Sequence, residues 1–346
     1  MTQFPVDFSS DTQTRPTPGM RQAIANAEVG DEQKREDPSV NRLQEMVAEL
    51  TGKEAALFLP TGTMCNLIAH AIHCRPGDEI ILESMSHPVH FEGGGFAVHS
   101  RSSIRLLETE NGVFTPQQVE AAIRPDDPHF PRSRLVCVEN THNLRGGRIW
   151  PIAAVKAVAE CARRHKLLLH LDGARLLNAV VATGVPAKAY CEPFDSCWID
   201  LSKGLGCPVG AVLAGSREFI AQAWRYKHLF GGAMRQAGIL ASAGVYALEH
   251  HVDRLAEDHL KAKKLAAGLA EMKGVQVDVA AVETNIVIFD IGGTGVTRAA
   301  MLEKLAPAGV RFSTPPKLTQ FRAVTHLDIP ADGVDRALNA MRQALA

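Results

Sequence analysis

Tyrosine is scarce. The chain has three in 346 residues, at positions 190, 226 and 246, and none falls in a loop that follows a strand-like run. A phenol is thereby set aside as a proton carrier, and that work near neutral pH passes to histidine. Long apolar runs are also missing. Each is broken by charge or glycine well before the ~20 residues that a membrane-spanning helix needs. The first 20 residues hold neither a basic start nor an apolar core of the kind an export signal carries, so a cytoplasmic location is expected. Excess charge of one sign is lacking too. The formal net charge is -1 and lysine and arginine are evenly scattered, which excludes the basic stripe that neutralises nucleic-acid phosphates. The seven cysteines (65, 74, 137, 161, 191, 197 and 207) form no CxxC pair and sit in apolar patterns, so they read as reduced core thiols and no metal is expected. Internal repeats and low-complexity segments are absent, which removes solenoid and linker readings.

What is present suits a compact protein of two domains: 46% of residues are apolar and 22% charged. Between residues 50 and 215, short apolar runs alternate with helical patterns. The strand candidates are Ala55–Leu59, Glu79–Leu82, Ile104–Leu107, Leu135–Val138, Leu167–Leu171 and Cys197–Leu201, which implies a mainly parallel, helix-covered sheet. Gly210–Gly215 follows too closely for a helical crossover and is expected to run antiparallel as a seventh strand. Helix starts are visible at Asp37-Pro38 and Thr115-Pro116, where a capping side chain precedes proline. After a helix-rich stretch from Arg217 to about Met272 the pattern changes. Strands near Val275–Val279, Asn285–Ile291 and Ala323–Ile329, with helices at Arg298–Leu305 and Gly333–Leu345, read as a small α+β domain. The expected division is a large domain over 1–250 and a small C-terminal one over 251–346.

Lys203 stands in Asp200-Leu201-Ser202-Lys203-Gly204-Leu205-Gly206, thirty-one residues after Asp172 at the end of a strand-like run. Taken singly, these are an ordinary loop lysine and an ordinary helix cap. Together they match the way a protein holds pyridoxal phosphate. A desolvated lysine can bond covalently to the cofactor's aldehyde, and glycines beyond it leave room for the ring. An aspartate on a neighbouring strand end can keep the pyridine nitrogen protonated, so that the ring absorbs the electrons of a carbanion. Leu59-Pro60-Thr61-Gly62-Thr63-Met64 ends one strand and opens a helix, where the N–H groups of Gly62, Thr63 and Met64 and the Thr63 hydroxyl can surround a phosphate. Two histidines follow strands: His87, beside Glu92 and a glycine run, and His142. Arg175, one turn beyond Asp172, and Arg322, ahead of a late strand, are each able to hold a substrate carboxylate in a two-bond fork. Cys207 falls close to Lys203 and reads as a packing residue.

These blocks occur in order with Ser10-Asp11-Thr12, Glu36-Asp37-Pro38, Glu139-Asn140-Thr141-His142-Asn143, His170-Leu171-Asp172-Gly173-Ala174-Arg175 and Gly231-Gly232-Ala233-Met234-Arg235-Gln236. From about residue 7 to residue 340 the chain resembles the low-specificity L-threonine aldolases, in the β-eliminating lyase group of fold type I PLP enzymes. The resemblance implies a fold type I, PLP-dependent transferase-like α/β architecture. It further implies Lys203 as the lysine that holds the cofactor, Asp172 on the pyridine nitrogen, His87 stacked on the ring and Gly62 and Thr63 on the phosphate. Ser10, Arg175 and Arg322 fall on the substrate carboxylate, with His87 and His142 near the β-hydroxyl. A homotetramer built from dimers that share active sites is implied as well. The implied reaction cleaves L-threonine, L-allo-threonine or a related L-β-hydroxy-α-amino acid to glycine and an aldehyde. The alternatives are a PLP-dependent β-eliminating lyase and an inactive PLP-binding protein. One departure from the family pattern is Lys34-Arg35 where the family has tyrosine and glycine. If that segment borders the substrate pocket, the two cations would favour a polar or anionic β-substituent.

Overall fold

The computed structural model describes residues 4–346. In chain order its strands are β1 (Val6–Phe8), β2 (Ala55–Leu59), β3 (Asp78–Glu83), β4 (Ser103–Leu107), β5 (Arg132–Glu139), β6 (Leu168–Asp172), β7 (Ser196–Asp200), β8 (Ala211–Gly215), β9 (Ile286–Asp290), β10 (Val310–Phe312) and β11 (Gln320–Val324). Seven of them form the main sheet in the order β2-β8-β7-β6-β5-β3-β4. All neighbours run parallel except at β8, which is antiparallel to both β2 and β7, as its short connection requires. The seven strands lie where the apolar runs place them. Only β5 starts well before its run, because Arg132, Ser133 and Arg134 are polar strand residues that periodicity does not reveal.

The pleat sorts the central strands into two faces. Leu169 and Leu171 of β6 and Cys197 and Ile199 of β7 join the larger apolar core. Their alternates face the other way: His170 and Asp172, Ser196 and Trp198, and Cys137 on β5. Covering that face is the helix Gly62–His73, whose Asn66, His70 and His73 lie on one stripe at helical spacing. Four parallel strands also end in an acidic residue: Glu83, Glu139, Asp172 and Asp200. The carboxyl edge of the sheet is therefore lined with carboxylates, at the edge where α/β sheets place their ligands.

The C-terminal unit has its own apolar cluster, around Leu265, Leu269, Phe289, Phe321 and Met341. β9 and β11 pair antiparallel, with Arg322 opposite Ile288. Three features differ from the sequence expectation. The strand expected at Ala323–Ile329 runs from Gln320 to Val324, because the chain turns after it, with Ile329 N–H donating to the His326 carbonyl at 3.0 Å. Val275–Val279 is not a strand: Gln276 exchanges a single pair of 2.8 Å backbone hydrogen bonds with Asp290, and the Asp278 side chain then caps Ala281 and winds the chain into a turn. β1 and β10, which pair in parallel, carry no visible pattern because each has only three residues. Through β1, with Val6 and Phe8 fully buried in the smaller cluster, the N-terminal segment is tied to the C-terminal unit.

Candidate active site

At the carboxyl edge of β5, β6 and β7, a cavity of about 380 Å³ opens between the two units. Ser10, Gly62, Thr63, His87, Asp172, Arg175, Lys203 and Arg322 all line it, so the structure gathers eight of the nine residues singled out from the sequence. His142 is the exception. It is fully buried behind the wall, where its Nε2 meets Glu83 at 3.0 Å and its Nδ1 has no partner among the described residues.

Gly62 and Thr63 begin a 12-residue helix capped by Thr61, whose hydroxyl accepts from Met64 N at 3.1 Å. The sequence reading gave Met64 to the phosphate. Its N–H is instead spent on the cap, and the amides of Gly62 and Thr63 remain as the free first-turn donors. Gly62 must be glycine for a steric reason: a Cβ there would stand 2.3 Å from the Trp198 ring. Lys203 follows β7, with its Nζ paired to the Asp200 carboxylate and 5.6 Å from the centre of the Trp198 ring. Its carbonyl accepts from Thr14 Oγ1 at 2.8 Å, which pins the N-terminal segment over the site.

Asp172 ends β6, buried, with Oδ1 accepting from Ala174 N at 3.0 Å and Oδ2 from Asn66 Nδ2 at 2.9 Å. Burial, aided by the charge of Glu139, raises its carboxyl to about 7 against the pull of His87 and the Asn66 hydrogen bond. No cationic side chain bonds this carboxylate among the described residues, so a cation arriving from the cavity would return it to the ionised form. His87 Nδ1 meets Glu92 Oε1 at 2.8 Å, and its backbone N–H donates to Glu139 Oε2 at 2.7 Å. Burial works against its positive form. The Glu92 hydrogen bond and the charges of Asp172 and Glu139 outweigh that, and hold His87 above the usual imidazole range.

The two arginines are not equivalent. Arg175 gives Nε and Nη2 to Asp11, both at 2.7 Å, in a fully buried fork, which leaves Nη1 to lean on Asn143 at 3.3 Å. Burial alone would raise the Asp11 carboxyl, but Arg175 holds it far below the usual carboxylate range. Arg322 reaches the same Asn143 oxygen through Nη2 at 2.5 Å, and its buried Nε has no partner among the described residues. Burial and the neighbouring Arg175 push Arg322 down to about 10. A guanidinium that lacks a counter-ion is thus poised for an incoming carboxylate.

Sequence reasoning passed over Asp11, Asn66 and Asn143 as individual residues. Asp11 and Asn143 stand beside residues it did single out, but the roles of all three arise from contacts spanning 26 to 274 positions. Lys34 and Arg35 lie apart from this chain's own site. Neither borders the 380 Å³ cavity. Lys34 is exposed, and Arg35 rests 5.8 Å above the Trp224 ring beside a separate cavity of about 300 Å³.

The donor set fits pyridoxal phosphate: free helix amides for a phosphate, a buried carboxylate with no cationic hydrogen-bond partner among the described residues for a pyridinium, and a lysine lining the same cavity. The Beta-eliminating lyase family model matches residues 7–291. Low-specificity L-threonine aldolase 1 of Arabidopsis thaliana is 42% identical, over 98% of this chain and 96% of the relative. The low specificity L-threonine aldolase of Escherichia coli is also 42% identical, over 99% of both chains. Among solved structures, the Leishmania major threonine aldolase superposes with a TM-score of 0.84 at 19% identity, over 99% of this chain and all of that one, and so shares the fold. Sequence, fold and donor set agree, and the chain belongs to the beta-eliminating lyase family, as a PLP-dependent lyase alongside the low-specificity L-threonine aldolases.

Proposed function

We propose that this chain cleaves an L-β-hydroxy-α-amino acid, L-threonine or L-allo-threonine among them, to glycine and an aldehyde, and runs the reverse condensation when both products are abundant. One observation carries the reading: a single cavity joins Lys203, Asp172 and His87 to an arginine with an unspent donor. Pyridoxal phosphate, when bound, supplies the aldehyde that Lys203 holds and the protonated ring that takes up the electron pair of the breaking Cα–Cβ bond.

The protein's own groups do the rest. Arg322, through Nε, and Arg175, through Nη1, bind the substrate carboxylate, and Asn143 sets their spacing. Ser10 Oγ accepts from Thr12 Oγ1 at 2.8 Å, so its own proton is free to donate to the same carboxylate. Asp172 keeps the ring nitrogen protonated. His87 commits Nδ1–H to Glu92 Oε1, which leaves Nε2 as the nitrogen that, once its own proton has passed to solvent, takes the β-hydroxyl proton, directly or through a water. His142 has a positioning role, locked to Glu83 behind the wall.

A division near residue 250, a cytoplasmic location and a tetramer with shared active sites belong to the same reading. No helix among the described residues is long and apolar enough to cross a membrane. Val98 and Leu229 are 65% and 74% exposed on segments joined by a His99–Phe230 contact, an apolar patch suited to a partner subunit. The test incubates the PLP-loaded protein with L-threonine, L-allo-threonine and L-phenylserine, with Lys203→Ala as control. Glycine and aldehyde in equal amounts support the aldolase. A keto acid with ammonia moves the assignment to β-elimination, and cofactor binding without turnover of any amino acid leaves an inactive binding protein.

A further inference from the structure

Asn66 is completely buried beneath the cavity, and each of its hydrogen-bonding positions is used. Trp198 Nε1 lies 2.8 Å from its Oδ1. An indole N–H can only donate, so that contact fixes which end of the amide is oxygen. The NH₂ end must then face the two carboxylates, at 2.9 Å from Asp172 Oδ2 and 2.7 Å from Glu92 Oε1. His170 Nε2, 3.1 Å from the same Asn66 oxygen, is forced to carry the proton.

Tautomer and direction propagate from there. Burial, reinforced by His70 and His73, holds His170 well below the usual imidazole range, so it is neutral and its Nδ1 is an acceptor. Ser196 Oγ, at 2.7 Å from that Nδ1, donates to it and in turn accepts from His73 Nε2, also at 2.7 Å. His73 is itself lowered to about 4, chiefly by burial. The result is a one-way chain from His73 through Ser196 and His170 to Asn66, ending on Asp172 and Glu92. The chain stitches the stripe of the Gly62–His73 helix to the polar face of β6 and β7 at both ends, through His73–Ser196 and Asn66–His170.

We propose that Asn66 is a positioning residue for the cofactor ring: it aims Asp172 at the ring nitrogen and Glu92 at His87, and the His73–Ser196–His170 chain holds its amide in the orientation that does so. An amide is suited to this place because it is the one small neutral group that offers two N–H donors to two carboxylates and two acceptor positions to two donors. Charge-assisted bonds of this kind are the strong ones, and burial removes water as a substitute. The inference rests on the assignment of Asp172 to the ring nitrogen made above, and the test separates the two.

The test measures noncovalent binding in a Lys203→Ala background, by fluorescence titration with pyridoxal phosphate and with its carbocyclic analogue in which CH replaces the ring nitrogen. Asn66→Ala should weaken the binding of pyridoxal phosphate by about tenfold or more and that of the analogue by less than about threefold, since the analogue has no nitrogen for Asp172 to address. His170→Leu should show the same selective loss in milder form. His170→Gln, which keeps an N–H near the Nε2 position, should restore selectivity. The His170 pair also serves if Asn66→Ala does not fold. Equal weakening of both ligands by Asn66→Ala, or identical behaviour of His170→Leu and His170→Gln, overturns the proposal. Asp172→Asn is the separate control: if it fails to abolish the preference for pyridoxal phosphate over the analogue, the ring-nitrogen assignment itself is wrong.

Discussion

Replacing Arg322 by alanine should damage substrate capture and spare the fold. The side chain projects from the middle of β11 into the cavity, with Nη2 on Asn143 and a buried Nε that has no partner among the described residues. Hydrogen bonds to charged groups contribute roughly 1.5–3 kcal/mol each. Loss of the one charge-assisted bond from Nε should therefore cost about 1.5–3 kcal/mol. At ~1.4 kcal/mol per factor of ten, that is roughly a 10- to 140-fold fall in kcat/KM. Most of it should appear in KM, because the carboxylate is held alike before and during bond cleavage. Arg322→Lys should recover part of the loss, since it keeps the charge and gives up the fixed guanidinium geometry. Stability should move the other way from a usual buried-residue truncation. With the guanidinium penalised by burial and by Arg175, removing it should change unfolding free energy by less than about 1 kcal/mol. Steady-state kinetics with L-threonine and L-phenylserine, beside urea denaturation of both variants, supply the numbers. A folded Arg322→Ala protein whose KM stays within about twofold of the parent would falsify the carboxylate assignment.

Three further outcomes are expected. Asp11→Ala leaves Arg175 charged and buried without its fork and also strips Asn285 of an acceptor at 3.2 Å, so calorimetry should show a loss of about 3–5 kcal/mol. A loss near zero would mean that water or Glu139 takes over. The Glu83–His142 pair should stabilise most between pH 4.5 and 6.5. Glu83 is held at about 2 by His142, Thr109 and Arg145 against burial, so its contribution is complete above 4.5 and fades as pH falls towards 2. His142 is raised despite burial by Glu139 and Glu83, so its contribution is complete below 6.5 and is lost as pH rises through its higher folded value. Denaturation midpoints of the parent and Glu83→Gln across pH 3–8 (a margin of about 1.5 units either side) should therefore diverge most in that window, and parallel profiles would refute the linkage. Lys34→Ala and Arg35→Ala should leave the ranking of threonine, phenylserine and 3-hydroxyaspartate unchanged, because neither side chain borders the substrate cavity. A selective loss of the anionic substrate would show that the segment reaches an active site after all.

The sequence by itself determined the main sheet, its antiparallel eighth strand and most of the pocket. Parallel strands buried on both faces leave contiguous apolar runs, and strand-to-helix turns that bind charged ligands require glycine, aspartate or lysine at local spacings. Lys203, Asp172 and Gly62-Thr63 are legible for that reason. Tertiary structure alone decided the direction of each polar contact. It spent the Met64 amide on a cap and two of Arg175's donors on Asp11, put His142 behind the wall, and left Lys34 and Arg35 off the lining of this chain's own cavity. Such choices depend on which groups meet across the folded chain. Strands of three residues, such as β1 and β10, are too short to carry a period, and the partnership of Asn66 with Asp172 and Trp198 spans 106 and 132 positions. A hydrogen bond is specified by distance and direction in space, and a linear pattern encodes neither.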